Sequence, residues 1–344
     1  MQEKKSRIRA KRLRRPLQNK SKPARHGKDR SSGKELLPAE KLKLLYSTML
    51  QCRMVKERVR QMFQQGKLTE NSRSRTGREA SEVGAMLGLL PGDCVAPRRH
   101  DVVTGFGLGC GVTASSALKQ VMAKLLQPAK SGRNQAFTTQ PGIPCIVAGK
   151  SAMAARLNIS TGVALAYQAK IQPNVVVAFS GDDSTALGSW HEAVDFAVTH
   201  KLPIVHVVQS DVWTEPPDPR LLVALKDTDN AGHDNGIPTL SVDGNDVVAV
   251  YRVAQEAIRR ARQGHGPTLI ECKTQRWLAP AAVSPMTEGP VSGLSEDPIS
   301  RMETYLKQKG LWSDAWKERL VTSFTRQLDA AEKFAEQSAA KARQ

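Results

Sequence analysis

The chain has 344 residues, of which 40% are hydrophobic, and its formal net charge at pH 7 is +18. This length and apolar content are enough to bury one large domain or two smaller ones. No apolar run approaches the roughly 18–20 residues that span a bilayer, and the N-terminus lacks the apolar core of a signal peptide. We therefore expect no transmembrane segment and no secretory signal.

The N-terminal 37 residues form a basic arm that differs from the rest of the chain. Residues 1–34 contain 14 Lys and Arg against two acidic residues, Glu3 and Asp29, and so carry +12 of the net charge. Because the arm has little apolar surface to offset the entropy of ordering, we expect it to be disordered. Its charge suits contact with nucleic acid or another anionic surface, while a solvated extension and a poorly amphipathic transit peptide also fit its composition.

Cysteine usage indicates a reducing compartment. The five cysteines are odd in number, scattered along the chain, and include no C-x-x-C pair. They are interpreted as small core residues with free thiols, and we expect a cytoplasmic protein.

Two helices are predicted first along the body of the chain. Apolar residues from Leu42 to Met62 recur at helical spacing, and Gly66 marks the end of this long helix. A second helix of smaller residues is predicted at 78–90, and the Pro-Gly-Asp turn at 91–93 closes it.

The middle of the chain predicts a parallel sheet. The apolar, β-branched run 174–180 is typical of a strand buried on both faces, and 202–209 is the next such strand. Between them a helix is predicted to open at Ser189, with Glu192 completing a capping box. Strand, helix and strand in this order form a βαβ unit, whose two strands are parallel. His206, within the second strand, is interpreted as a hydrogen-bonded structural histidine.

A second unit of the same kind follows along the chain. Strands are predicted at 238–242 and 267–274, with a helix at 245–263 that begins at the N-cap Asn245 and stops at Gly264. Further helices are predicted near the C-terminus. The sequence therefore predicts an α/β fold with a doubly wound, mostly parallel sheet and helices on both faces.

Acidic residues stand at the ends of two predicted strands. Asp182 and Asp183 follow the strand 174–180, and Asp211 follows the strand 202–209. Ligands of doubly wound sheets bind beyond the carboxyl ends of the strands, so these carboxylates are candidate ligands of Mg²⁺ or Ca²⁺ beside a bound phosphate. Gly-Asp and Ser-Asp are also ordinary turn and capping pairs, and the spacing alone leaves both interpretations open.

Several motifs resemble those of a known family. The segment GDDSTALGSWHEAVDFAVTHKLPIVHVVQSDVW (181–213) resembles the thiamine-diphosphate motif of the α subunit in the first, decarboxylating component of 2-oxo acid dehydrogenase complexes. Four further segments match that family in the same order: GREASEVGAMLGLLPGD, RLNISTGVALAYQAK, VDGNDVVAVYRVAQEAIRRARQGHGPTLIECKTQR and EDPISRMETYLKQKG. The resemblance covers residues 40–330, and the ordered agreement of these motifs is more specific than any one of them.

The resemblance implies a thiamine-diphosphate-binding fold and a reaction. The chain would be an α subunit that binds thiamine diphosphate and Mg²⁺ and takes part in the oxidative decarboxylation of a 2-oxo acid. The acyl group would pass to a lipoyl-bearing acyltransferase component. In similar two-subunit enzymes the Glu that activates the cofactor lies in the β subunit. The resemblance therefore implies a β partner, a heterotetramer, and an active site of which this chain forms one half.

The resemblance also implies roles for individual residues around the metal. Asp182 and Asp211 would bind Mg²⁺ through their side chains, and Trp213 would bind it through its main-chain carbonyl. The backbone amides of Asp183 and Ser184 would lie beside the diphosphate.

Two further positions are implied to contact the cofactor. Arg99 matches the family's diphosphate-binding Arg, and the neighbouring Arg98 matches it equally well. Met153 falls where the family has an apolar residue that supports the bent cofactor, although plain core packing also explains a Met there.

Four departures from the family pattern concern the site itself. Asp183 replaces the last Gly of a GDG motif, and Ser210-Asp211 replaces a double Asn. Pro280 or a neighbour stands in place of an active-site His, and the segment SGRNQAFTTQPG lacks the family's Met-His pair. A working enzyme with altered substrate or metal, a cofactor binder with weak activity, and a non-catalytic assembly or regulatory subunit all fit these changes. A binder of nucleic acid or anionic surfaces tethered by its basic arm is a further alternative.

Three parts of the chain are therefore expected. They are a disordered basic arm at 1–37, a thiamine-diphosphate-binding α/β domain at 38–332, and a polar C-terminal tail at 333–344.

Overall fold

The computed structural model describes residues 37–68, 76–98, 110, 115–126, 137–138, 145–147, 153–185, 187–212, 236–275 and 297–341. At some positions inside these ranges, Met153, Asp182, Asp183 and Asp211 among them, the side chain lies outside the described part. The predicted arm at 1–37 falls outside it up to residue 36, and the division of the chain into three parts stays a prediction.

A seven-stranded sheet forms the centre of the described structure. In chain order its strands are β1 (Cys94–Ala96), β2 (Phe137–Thr138), β3 (Cys145–Val147), β4 (Val176–Gly181), β5 (Ile204–Val212), β6 (Thr239–Asp243) and β7 (Thr268–Gln275). Across the sheet they lie in the order β2-β3-β1-β4-β5-β7-β6. Neighbouring strands are parallel except for β2 and β3, which are antiparallel. The prediction of a mostly parallel α/β sheet is confirmed.

Helices cover both faces of this sheet. In chain order they are α1 (Ala39–Gln64), α2 (Glu79–Met86), α3 (Ser115–Leu126), α4 (Met153–Ala169), α5 (Asp182–Thr185), α6 (Gly188–Thr199), α7 (Val247–Arg262), α8 (Pro298–Gln308) and α9 (Asp314–Lys341). On one face α4 and α6 pack through side chains such as Leu157 and Trp190 against alternate residues of β4 and β5. On the other face α2 and α7 pack through side chains such as Met86 and Ile258 against the intervening residues. Alternation along buried strands therefore separates two apolar cores.

Both predicted helix N-caps are wrong. The carbonyl of Leu187 accepts from the amide of Trp190 at 2.9 Å, so α6 begins at Gly188 and Ser189 lies inside its first turn instead of capping it. At α7 the cap is Asp246, whose Oδ1 accepts from the amides of Val248 and Ala249 at 3.0 Å each. The amide of Asn245 donates instead to Asp243 in the preceding turn.

Two element ends bear on the candidate site and on the C-terminus. The strand β5 continues to Val212, three residues beyond its predicted end, because β7 is long enough to pair Gln275 with Val212. The helix α9 crosses the predicted boundary at 332 and continues to Lys341, with Ala335 and Ala339 buried on it. None of the described helices is both long enough and apolar enough to cross a membrane.

Candidate functional site

The carboxyl ends of β4 and β5 bring two of the predicted site positions together. The last residue of β4, Gly181, pairs with Gln209 of β5. Asp182 follows Gly181 directly and opens α5, while Asp211 lies two residues beyond Gln209 in β5. Neighbouring parallel strands are about 4.8 Å apart, so the backbones of these two aspartates lie close to one another at one edge of the sheet. We call this region the β4–β5 carboxyl edge.

The other predicted site residues divide between the described and undescribed parts. Ser184 lies in α5 at the β4–β5 carboxyl edge and is 3% exposed. Asp183 is the second residue of α5, and Met153 is the first residue of α4. Arg99 and Trp213 lie outside the described residues. Among the side chains that are described, no group of three or more His, Cys, Asp or Glu has a metal-binding arrangement. The proposed metal ligands Asp182 and Asp211 are not among those side chains.

Arg98 contributes a buried cation to the β4–β5 carboxyl edge. It lies just beyond β1, is 7% exposed, and its Nη1 donates to the main-chain carbonyl of Gln209 at 3.5 Å. Because β1 neighbours β4 in the sheet, the guanidinium of Arg98 reaches the same edge as the two aspartates. An anion bound here therefore has a buried positive charge nearby.

The buried amide of Gln209 is a site feature that the sequence reasoning missed. Its Nε2 donates to Oγ of Ser81 in α2 at 2.8 Å, and that hydroxyl donates in turn to the carbonyl of Arg78 at 2.9 Å. Its Oε1 is buried and has no hydrogen-bond partner among the described residues. The signal was present in the sequence, because Gln209 is a polar residue that ends an apolar strand.

Ser210, the next residue of β5, is also held on several sides. Its hydroxyl lies 3.4 Å from Oε1 of Glu271 and 3.4 Å from the carbonyl of Cys272. Its own carbonyl accepts from Oγ1 of Thr274 at 2.8 Å. The backbone that leads into Asp211 is therefore fixed against β7.

On the α4–α6 face of the sheet, several buried polar atoms have no partner among the described residues. Oγ of Ser180, Nε1 of Trp190 and both ring nitrogens of His206 are buried and have no hydrogen-bond partner in the described part of the chain. Burial lowers the pKa of His206 to about 4, so its ring is neutral at pH 7. The interpretation of His206 as a hydrogen-bonded histidine is wrong, because apolar side chains surround the strand on this face.

A buried ionic cluster holds α2 against α1. Its members are Arg53, Lys56, Glu79, Glu82 and Asp297. Nη2 of Arg53 lies 2.8 Å from Oε2 of Glu79 and 2.6 Å from Oδ1 of Asp297. Nζ of Lys56 lies 2.8 Å from Oε2 of Glu82 and 3.3 Å from Oε1 of Glu79.

The charges of this cluster set the ionisation of its central carboxylate. Burial alone raises the pKa of Glu79, but the charges of Lys56 and Arg53 outweigh it and lower that pKa to about 2. Glu79 is thus ionised at neutral pH, and its Oε2 also accepts from the amide of Gly77 at 2.9 Å. The helix that carries Ser81 is therefore anchored by charge as well as by apolar packing.

Comparison with known proteins places these features in a family context. Residues 46–343 match the family described as the dehydrogenase E1 component. The chain is 30% identical over 285 residues to the 2-oxoisovalerate dehydrogenase subunit alpha of Bacillus subtilis (strain 168), covering 80% of this chain and 85% of the relative. It is 31% identical over 298 residues to the 3-methyl-2-oxobutanoate dehydrogenase subunit alpha of Mycobacterium tuberculosis (strain ATCC 25618 / H37Rv), covering 83% and 76%. It is 30% identical over 291 residues to the pyruvate dehydrogenase E1 component subunit alpha of Acholeplasma laidlawii, covering 83% and 80%.

Proposed function

The chain belongs to the family of dehydrogenase E1 components, and on that premise we propose that it is the α subunit of a thiamine-diphosphate- and Mg²⁺-dependent 2-oxo acid dehydrogenase. In this proposal the enzyme decarboxylates a 2-oxo acid oxidatively and passes the acyl group to a lipoyl-bearing acyltransferase component. Support comes from relatives named as alpha subunits of 2-oxoisovalerate, 3-methyl-2-oxobutanoate and pyruvate dehydrogenases. The family resemblance and the dehydrogenase class expected from the motifs are confirmed.

The observation that carries the proposal is the composition of the β4–β5 carboxyl edge. Two aspartate positions, Asp182 and Asp211, meet there beside the buried guanidinium of Arg98. Oγ of Ser180 and Oε1 of Gln209 are buried near the same edge without partners in the described structure. Carboxylates are hard oxygen donors that suit Mg²⁺, and guanidinium suits phosphate. This donor set would suit a divalent cation and a diphosphate bound side by side.

Bound at this edge, thiamine diphosphate supplies the carbon nucleophile and the electron sink that decarboxylation of a 2-oxo acid requires. The chain's own part is to bind and orient. We assign Asp182, Asp211 and the main-chain carbonyl of Trp213 to the cation. We assign the backbone amides of Asp183 and Ser184 to the diphosphate.

Two other side chains complete the assignment for this chain. Arg99 or Arg98 neutralises the diphosphate, and the buried position of Arg98 favours a contribution from it. Met153 supports the cofactor from α4. No catalytic acid or base is assigned here, because the proposal places the activating carboxylate in a β subunit of a heterotetramer.

Calorimetric titration tests the proposal directly. The chain, co-expressed with a β-type subunit, is titrated with thiamine diphosphate in the presence of Mg²⁺ and again in the presence of EDTA. We expect binding that requires Mg²⁺ and that is lost in Asp182→Asn, because the substitution removes a charged ligand from the metal.

Asp195→Asn is the matched control for this titration. Asp195 is an exposed aspartate on α6, and neutralising it should leave the affinity unchanged. Equal affinity with EDTA and with Mg²⁺, or equal affinity of Asp182→Asn and wild type, would contradict the metal assignment. Absence of binding to the wild-type assembly would favour a non-catalytic assembly or regulatory subunit on the same fold. The observation that favours a non-catalytic subunit is Asp183, which stands where the family has Gly.

The proposed location is the cytoplasm. Cys52, Cys94, Cys110 and Cys272 carry free thiols, as proteins of reducing compartments generally do.

A further inference from the structure

Gln209 of β5 contacts four other structural elements at the β4–β5 carboxyl edge. Along the sheet it pairs with Gly181 on one side and with Cys272 of β7 on the other. Its side chain reaches Ser81 of α2, and its carbonyl accepts from Arg98 at the end of β1. Asp211, a proposed metal ligand, follows two residues later in the same strand. A displacement of Gln209 would therefore also displace Ser210 and Asp211.

The hydrogen bonds around this amide are directional. Gln209 is fully buried, and Ser81 is fully buried opposite it. The hydroxyl hydrogen of Ser81 is given to the carbonyl of Arg78, so this oxygen can only accept from its second neighbour. Nε2 of Gln209 is the donor that fits, and a carboxylate at position 209 would place two acceptors against each other.

The anchor on the other side of this contact is rigid. Ser81 lies between Glu79 and Glu82, both of which are held by the buried ionic cluster. The same helix packs closely on α7, where an added Cβ at Gly84 would meet side-chain atoms of Val250 at 2.8 Å. The hydrogen bond from Gln209 to Ser81 thus links the carboxyl end of β5 to a firmly packed part of α2.

We propose that Gln209 is a positioning residue that fixes the carboxyl end of β5, and with it Asp211, relative to α2 and Arg98. The proposal rests on the proposed function in assigning a metal to Asp211. It goes beyond that function by naming a residue that contacts neither the metal nor the reacting atoms. Oε1 of Gln209, which has no partner among the described residues, leaves one acceptor at this edge for an ordered water.

Gln209→Met and Ser81→Ala test the proposal from the two sides of one hydrogen bond. Met has a similar length and no amide, while Ala removes only the hydroxyl. In the assembly with a β-type subunit, calorimetry is expected to show about 10–100-fold weaker Mg²⁺-dependent binding of thiamine diphosphate to either variant. The double variant should lose little more than one single variant, since both remove the same contact.

The matched control is Gln255→Met. Gln255 lies on α7 with a buried Nε2 that has no partner among the described residues, but it packs near Gly88, away from the carboxyl edge. It should leave cofactor binding unchanged. Thermal unfolding of each variant verifies that weakened binding does not come from a failure to fold.

A second readout separates the positioning role from the proposed function. Hydrogen exchange of the amides of residues 210–212, measured without cofactor, should be faster in Gln209→Met than in wild type and unchanged in Gln255→Met. If wild type and Gln209→Met bind the cofactor equally, the positioning role is overturned and the proposed function stands. If the wild-type assembly binds no cofactor, the proposed function fails, and hydrogen exchange alone tests the positioning role. Faster exchange in Gln209→Met than in wild type then supports that role, and unchanged exchange overturns it.

Discussion

The guanidinium of Arg262 meets the carboxylate of Asp93 through two parallel hydrogen bonds, 3.0 Å from Nη1 to Oδ1 and 2.8 Å from Nη2 to Oδ2. Asp93 is fully buried and also accepts from the amides of Leu90 at 2.7 Å and Val175 at 3.0 Å. One carboxylate thereby joins the last turn of α7, the turn before β1 and the start of β4. Breaking it affects three segments at once.

We predict that Arg262→Met lowers the free energy of unfolding by about 3 kcal/mol, because it leaves Asp93 charged and buried without its cation. Urea unfolding at pH 7 measures the change. Arg259→Met, three residues earlier in α7, is the control, since Arg259 pairs with Glu256 at an exposed position. We expect no measurable change for the control. If the two variants lost similar amounts of unfolding free energy, the buried pair of Arg262 and Asp93 would stabilise the fold no more than the exposed pair does.

The buried ionic cluster makes stability depend on acid pH. The pKa of Glu79 is about 2 in the folded chain against an ordinary 4.5, so folding favours its ionised form. Its contribution is present above about pH 4.5 and is lost as the pH falls toward 2. We predict that Glu79→Gln costs about 3–5 kcal/mol at pH 7, and that the gap to wild type narrows below pH 4.5.

Unfolding midpoints measured at steps between pH 7 and pH 3 test this prediction. Glu256→Gln removes an exposed carboxylate from α7 and serves as the control, with only a small change at any pH. A gap between Glu79→Gln and wild type that stayed constant across this range would be inconsistent with a strongly lowered pKa.

His206 gives a second pH dependence, with a different window. Its pKa falls from 6.5 to about 4 on folding, so the unfolded chain binds a proton that the folded chain does not. Stability is therefore lost as the pH falls from 6.5 toward 4, by about 2 kcal/mol between pH 7.5 and pH 5. We predict that His206→Leu removes this loss and is the more stable form at pH 5.

Thr268→Val is the matched control for His206→Leu. The hydroxyl of Thr268 is likewise buried without a partner in the described structure, but it does not titrate. Its removal should shift stability equally at every pH. If wild type and His206→Leu lose stability in parallel between pH 7.5 and pH 5, the assignment of this window to His206 is wrong.

The sheet was predictable from the sequence because its strands are short, continuous apolar runs. A predicted helix separates the runs at 174–180 and 202–209, and two strands joined in this way are usually parallel neighbours in one sheet. The structure confirms this, because β4 and β5 are adjacent. The end of β5 was not predictable in this way. Residues 209–211 are polar, and only the length of β7 shows that pairing continues to Val212.

Contacts between distant residues were the other limit of prediction. Gln209 and Ser81 are 128 residues apart, and no local pattern in the sequence relates them. The same holds for Arg53 and Asp297, which pair across 244 residues. His206 shows the opposite case. Its burial was predicted correctly, but the absence of a hydrogen-bond partner among the described residues depends on the packing around it.

The basic arm is predicted to bind polyanions through charge rather than through a specific sequence. Full-length protein and a 35–344 form should differ in retention on DNA, because residues 1–34 carry +12. If about six phosphates are contacted, affinity falls about 10³-fold between 50 and 200 mM salt. A form with the arm residues in scrambled order keeps the charge and should bind equally well. Equal retention of the full-length and 35–344 forms would exclude a polyanion-binding role for the arm.

Asp183, which stands where the family has Gly, is the departure that bears most directly on cofactor binding. It occupies the second position of the helical turn α5, a conformation open to any L-residue, so its backbone does not by itself require Gly. An effect of Asp183 on cofactor binding would therefore come from its charge or from its size beside the proposed diphosphate. A carboxylate about 5 Å from a phosphate charge costs about 3 kcal/mol at an effective dielectric constant of about 20.

Asp183→Asn and Asp183→Gly separate these two effects. If charge dominates, both variants should bind thiamine diphosphate up to about 100-fold more tightly, because 3 kcal/mol corresponds to roughly that factor. If size dominates, Gly alone should improve binding, since Asn has nearly the volume of Asp. Calorimetry in the presence of Mg²⁺ distinguishes the two patterns. Weaker binding in both variants would mean instead that Asp183 itself contributes to the metal site, and that its carboxylate belongs to the working form of this protein.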